Sequence, residues 1–181
     1  MKKSLRTSLA ALAALAAAVM LPTLALAQTH AAHEHGKVAV DIAVEREQLT
    51  IGIDTPLDNL LGFERAPRSA AEKQAADAAV ARLRAADGWL RIDPQAGCQL
   101  QAVTLESGAL GLGGAPAEGE HADLEGSVTY RCTDATRAAW IDVGLADAFK
   151  RVKVLQVQVA GPQGQAKQTL SGKNRRVVLA K

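Results

Sequence analysis

The stretch KVAVDIAVEREQLTIGID, residues 37–54, constrains the fold more tightly than any other part of the chain. Val38, Val40, Ile42 and Val44 fall on one side of an extended backbone, and Lys37, Ala39, Asp41 and Ala43 on the other. Period two of this kind marks a strand with one buried face. REQ turns the chain, and Leu49, Ile51 and Ile53 repeat the alternation. An antiparallel hairpin is expected, ended by Pro56.

After it, DNLLGFERAP reads as a compact connector with about one helical turn. SAAEKQAADAAVARLRAADG, residues 69–88, is the main helix. Ser69 is its N-cap and Glu72, three residues on, completes a capping box. Ala75, Ala79 and Leu83 form a thin apolar stripe suited to close packing on a sheet, and Gly88 is the expected stop. CQLQAVTLE and HADLEGSVTYRC read as strands, the second grouping Leu124, Val128, Tyr130 and Cys132. Between them SGALGLGGAPAEGE lacks periodicity and is a loop. WIDVGL, VKVLQVQVA, QAKQTL and RRVVLA continue the β pattern, with GPQG as a turn. The expected class is α+β: a mostly antiparallel β-sheet with one main inserted helix and one disulfide. There is no internal repeat and no interdomain linker, so residues 37–181 are expected to form a single domain.

Residues 1–27 do not belong to that domain. Lys2, Lys3 and Arg6 precede an uncharged Ala/Leu-rich run closing on Ala25-Leu26-Ala27, the pattern of a cleavable secretory signal. The run is nearly long enough for a retained membrane anchor, but the Ala-x-Ala end and Pro22 favour removal. Cleavage leaves 18 Lys+Arg of the 21 against 19 Asp+Glu, a net charge of −1. With aromatics at 3% and no basic excess, nucleic-acid binding has little support. In an exported chain Cys98 and Cys132 most simply pair with each other. A Cys metal pair is the rival reading, weakened because neither has a second Cys or a His at ligand spacing.

Three of the four histidines lie in residues 28–36, QTHAAHEHG: His30, His33 and His35. Residues two apart in an extended chain point the same way. Carried back along the first strand, the alternation puts His33 and His35 together on the polar face, with Glu34 away from them. His121-Ala122-Asp123 repeats the arrangement, imidazole and carboxylate opposite Leu124. Two such pairs would supply the four N/O ligands of a tetrahedral zinc, provided the two strands run side by side. His30, Glu34 and Glu120 are additional candidates. Taken alone, a polar histidine at a strand start is usually a solvated surface residue. A separate reading uses a mature terminus Gln28-Thr29-His30, which resembles the amino-terminal motif for Cu2+ or Ni2+; cyclisation of Gln28 would abolish it. Gly-x-Ser-x-Gly, the P-loop and a Gly-x-Gly-x-x-Gly before a helix are all absent, so no catalytic residues are assigned.

HEHGKVAVDIAVEREQLTIGIDTPLDNLLGFERAP, the Ala-rich helix, the cysteine in AGCQL, HADLEGSVTYRC and VQVAGPQGQAKQTL together resemble the ZrgA-type zinc-uptake-associated family. The similarity runs from His33 to about Leu179. It implies an exported periplasmic protein linked to zinc acquisition, with no established catalytic residues. Family members often carry His after Gly-Phe-Glu, where this chain has Arg65. Many also have a His/Asp-rich loop before the His-x-Asp motif, where this chain has GLGGAPAEGE. The expectation is a non-enzymatic zinc-binding accessory protein that works with an importer or another envelope protein and has no membrane span after signal cleavage. His33, His35, His121 and Asp123 would be its ligands. The alternative is an envelope interaction module with a solvated His cluster.

Overall fold

β1 (Lys37–Val44) and β2 (Gln48–Pro56) form the expected antiparallel hairpin, with Val40 opposite Ile53 and Ile42 opposite Ile51. These coordinates are a computed structural model that describes residues 34–113 and 122–179. Residues 1–27, the expected signal segment, lie outside the described residues. α1 (Leu57–Leu61) is the single turn expected of the connector, and Gly62 closes it in the left-handed region at φ 86°.

α2 (Ala70–Arg84) begins at the capping box: Ser69 Oγ accepts the Glu72 N–H at 3.1 Å, and the Glu72 carboxylate accepts the Ser69 N–H at 3.3 Å. Its buried residues are Ala76, Ala79 and Leu83, while Ala75 is exposed. Spacings of three and four keep the first three on one side of a 3.6-residue turn. The helix also ends earlier than Gly88 suggests. Ala85 caps it, and residues 86–88 form a separate tighter turn that buries Ala86 and aims the Trp89 indole N–H at the Leu83 carbonyl, 3.1 Å away.

β3 (Leu90–Ile92) follows, then β4 (Cys98–Glu106), β5 (Asp123–Cys132), β6 (Trp140–Val143), α3 (Leu145–Ala148), β7 (Val154–Gly161), β8 (Gly164–Ser171) and β9 (Arg176–Val178). They form two sheets: six strands in the order β4-β5-β2-β1-β7-β8, and three in the order β3-β6-β9. Every pairing is antiparallel except β1 with β7.

One face of the large sheet is the core. Across it Val159, Ile42, Ile51, Val128 and Val103 stand in register, and the first four are buried. Burying each such side chain contributes roughly 1.5–3 kcal/mol, so a one-residue slip in any of these strands would expose its whole apolar set. The Cys98–Cys132 disulfide is present, joining the first residue of β4 to the last of β5, which are register partners. That pairing removes both thiols from any metal site. No helix among the described residues is long and apolar enough to cross a membrane.

Candidate metal site at one end of the large sheet

β2 lies between β1 and β5 and runs antiparallel to both. The starts of β1 and β5 therefore lie at one end of the sheet, where β2 finishes and α1 begins. The two histidine-bearing segments do not lead into neighbouring strands, as a shared site was expected to need. One strand separates them, roughly 9–10 Å at two strand spacings, and both begin at the same end.

The lead-in to β1 is a turn and not an extension of the strand. Lys37 N–H donates to the Glu34 carbonyl at 3.0 Å, and Gly36 occupies φ 82°, a value glycine adopts without steric cost. A Cβ at Gly36 would also lie 3.3 Å from Lys153 Cγ. The alternation read back through this residue therefore breaks, and His35 stands at the tip of the turn with its side chain 67% exposed. Glu34 is turned toward Lys37, with which it pairs.

Asn59, on α1 and almost wholly buried, fastens this turn to the sheet end. Its Oδ1 accepts the Gly36 N–H at 2.6 Å, and its Nδ2 donates to the Lys37 carbonyl at 2.6 Å and to Thr55 Oγ1 at 3.0 Å. From the other side, the Lys153 and Val154 N–H groups donate to the Gly36 carbonyl. The start of β5 is fixed as firmly. Asp123 pairs with Pro56, the Leu57 N–H donates to the Ala122 carbonyl at 2.9 Å, and Ser107 Oγ donates to the Asp123 carbonyl at 2.7 Å.

Two carboxylates that the sequence reading did not single out meet His35 here. Its Nε2 lies 3.0 Å from Glu64 Oε1, and its Nδ1 3.9 Å from Asp58 Oδ2. Asp58 Oδ1 is in turn 3.6 Å from Arg151 Nη1. Both carboxylates are largely sheltered, Glu64 at 12% and Asp58 at 17% exposure. The 3.0 Å separation is close to the ~3.3 Å between two donor atoms of a tetrahedral zinc, each about 2.0–2.1 Å from the ion. Imidazole and carboxylate are donor types that zinc accepts, so His35 and Glu64 fit as a ligand pair. Among the described residues no group of three or more His, Cys, Asp or Glu side chains is arranged to hold a metal ion. His30, His33, Glu120 and His121 lie outside the described residues. Glu64 was visible in the sequence only as part of GFE-x-AP, and Asp58 only as an acid directly after a strand end.

Arg65 follows Glu64 and serves the neighbouring helix. Its guanidinium grips the Glu72 carboxylate at 2.8 and 3.0 Å and lies over the Phe63 ring, 4.9 Å from the centroid. The hydrogen bonds from Arg65, with those from the Arg68 and Ser69 N–H groups, hold the Glu72 carboxyl down at about 2.

Residues 32–179, well over half of the chain, match the family described as ZrgA family zinc uptake protein. The chain belongs to this family. The match takes in both strand starts, α1 and the Glu64 loop, so every described residue of the candidate site lies within the ZrgA region. No curated protein matches this ZrgA chain.

Proposed function

We propose that this ZrgA-family chain is a periplasmic, non-catalytic accessory protein that captures Zn2+ and passes it to an importer. The observation that carries the reading is the meeting of the His35 imidazole with the Glu64 and Asp58 carboxylates at the end of the sheet where β1 and β5 both begin. Membership of a zinc uptake family supplies the cargo. Glu64 joins His33, His35, His121 and Asp123 as a proposed ligand, while Asp58, on the Nδ1 side of the His35 ring, would orient the imidazole from behind. A structural zinc is enclosed by its ligands, whereas a cargo ion must leave. The exposed His35 suits release, because a competing ligand on a partner can reach it directly.

The test is calorimetric titration of the mature protein with zinc, comparing wild type with His33→Ala/His35→Ala, Glu64→Gln and His121→Ala. Each change is expected to weaken binding at least tenfold, since each removes a donor. Binding no tighter than about 100 μM (about −5.5 kcal/mol) in the wild type would refute the capture role. A silent His121→Ala would refute the shared site. Ligand imidazoles bind metal only when deprotonated, so affinity is expected to fall as the pH is lowered.

A further inference from the structure

Away from the strand ends, a cavity of about 860 Å³ opens between α2, the small sheet and the turn from β8 to β9. Its volume falls within the ~300–1,000 Å³ typical of small-ligand sites. Five cationic side chains line it: Arg82 from α2, Arg91 from β3, and Lys173, Arg175 and Arg176 from the turn and β9. Three carboxylates stand among them, and each is already engaged. Asp142 receives Arg176 Nε and Nη2 at 2.8 and 2.9 Å, Asp147 receives both arms of Arg175, and Asp87 accepts from the Tyr130 hydroxyl at 3.1 Å.

The cavity therefore carries two cations in excess, on a chain whose mature charge is near neutral. Arg82 donates to the Ala148 carbonyl and lies over the Phe149 ring, which leaves its charge uncancelled. Among the described residues, the Lys173 and Arg91 side chains make no hydrogen bond or ion pair, and the Arg91 charge acts at longer range on Asp142, whose carboxyl it helps Arg176 hold below the usual range. Arg176 is held between Asp142 and the Trp140 ring, 4.1 Å from its centroid. Like charges gathered round a concavity repel one another and focus a positive potential into it. An anion seated there relieves that repulsion.

We propose that this cavity binds a small anion bearing two or more carboxylate or phosphate groups, with Arg91, Lys173 and Arg82 as its charged contacts. Arg175 and Arg176 are wall residues, pinned by their own acids. The site is separate from the strand-end histidines and does not depend on zinc binding there.

The experiment is titration of the metal-free, oxidised mature protein with citrate and, separately, with inorganic pyrophosphate, at ~0.01 M and ~0.15 M ionic strength. One of the two probes is expected to bind with Kd below about 1 mM at low salt and several-fold more weakly at high salt. The probe that binds tells carboxylate from phosphate. Arg91→Gln/Lys173→Gln breaks no ion pair and is expected to keep the wild-type Tm. It should weaken binding at least ~tenfold, the loss expected from removing charge-assisted contacts. Lys167→Gln, outside the cavity, should bind like wild type. Absence of binding tighter than about 10 mM for both probes, or equal affinity in wild type and the double variant, would overturn the proposal.

Discussion

At the scale of single residues, Asn59 decides whether the histidine turn is held. Among the described residues it is the one side chain that answers both an N–H and a carbonyl of the β1 lead-in, and it does so from a buried position. Asn59→Ala leaves those partly buried backbone groups, and the buried Thr55 hydroxyl, without their partner. Each lost buried partner costs roughly 1–3 kcal/mol and a partly buried one less, so urea denaturation should show a loss of about 1–3 kcal/mol. Zinc affinity should fall in the same variant, although Asn59 is not a ligand, because the turn that presents His35 is released. Unchanged stability would mean that the Gly36 and Lys37 backbone groups are satisfied in some other way.

Among the elements, α2 carries the clearest pH signature. The folded Glu72 carboxyl is held at about 2, whereas an unfolded glutamate titrates near 4.3. A depressed folded value means the stabilisation is complete above the unfolded value. It is then lost as pH falls from about 4.3 through about 2. Thermal melts should accordingly show wild-type Tm dropping through that window more steeply than Glu72→Gln, which starts lower and stays flatter. Parallel slopes would remove the Arg65–Glu72 pair as the cause.

The same helix shows how far the sequence could be read. Ser69 and Glu72 announce its start chemically and lie where expected. The stripe is misphased at Ala75, because one alanine among many carries no signal of which side is buried. The β1–β2 hairpin is legible from alternation alone, whereas the three-residue β3 and the single-turn α3 are too short to show a period. Reading the alternation back to His33 fails at Gly36, whose positive φ turns the chain before the strand begins. Glu64 and Asp58 escape notice because they reach His35 through tertiary contacts that no spacing encodes.

For the whole molecule, the strand order is what sequence could not supply, and it separates two functions of the large sheet. The disulfide ties β4 to the far end of β5, opposite the end where Asp123 begins that strand. Closing its loop contributes roughly 3–4 kcal/mol in the chain-entropy model. Cys98→Ala/Cys132→Ala should lose about that much in urea and keep wild-type zinc affinity at temperatures where it remains folded. A large loss of affinity in the folded variant would show that the two ends are coupled.

β1, near the beginning of the chain, lies between β2, its immediate successor, and β7, more than a hundred residues later. Until Val154–Gly161 arrives, β1 is an open edge, and the Gly36 carbonyl waits for the Lys153 and Val154 N–H groups. A chain threaded through a membrane from its N-terminus delivers the histidines that precede β1 first and the strand that seats their turn near the end. On the proposed function, competence to hold the ion would therefore come late in export, after almost the whole polypeptide has crossed.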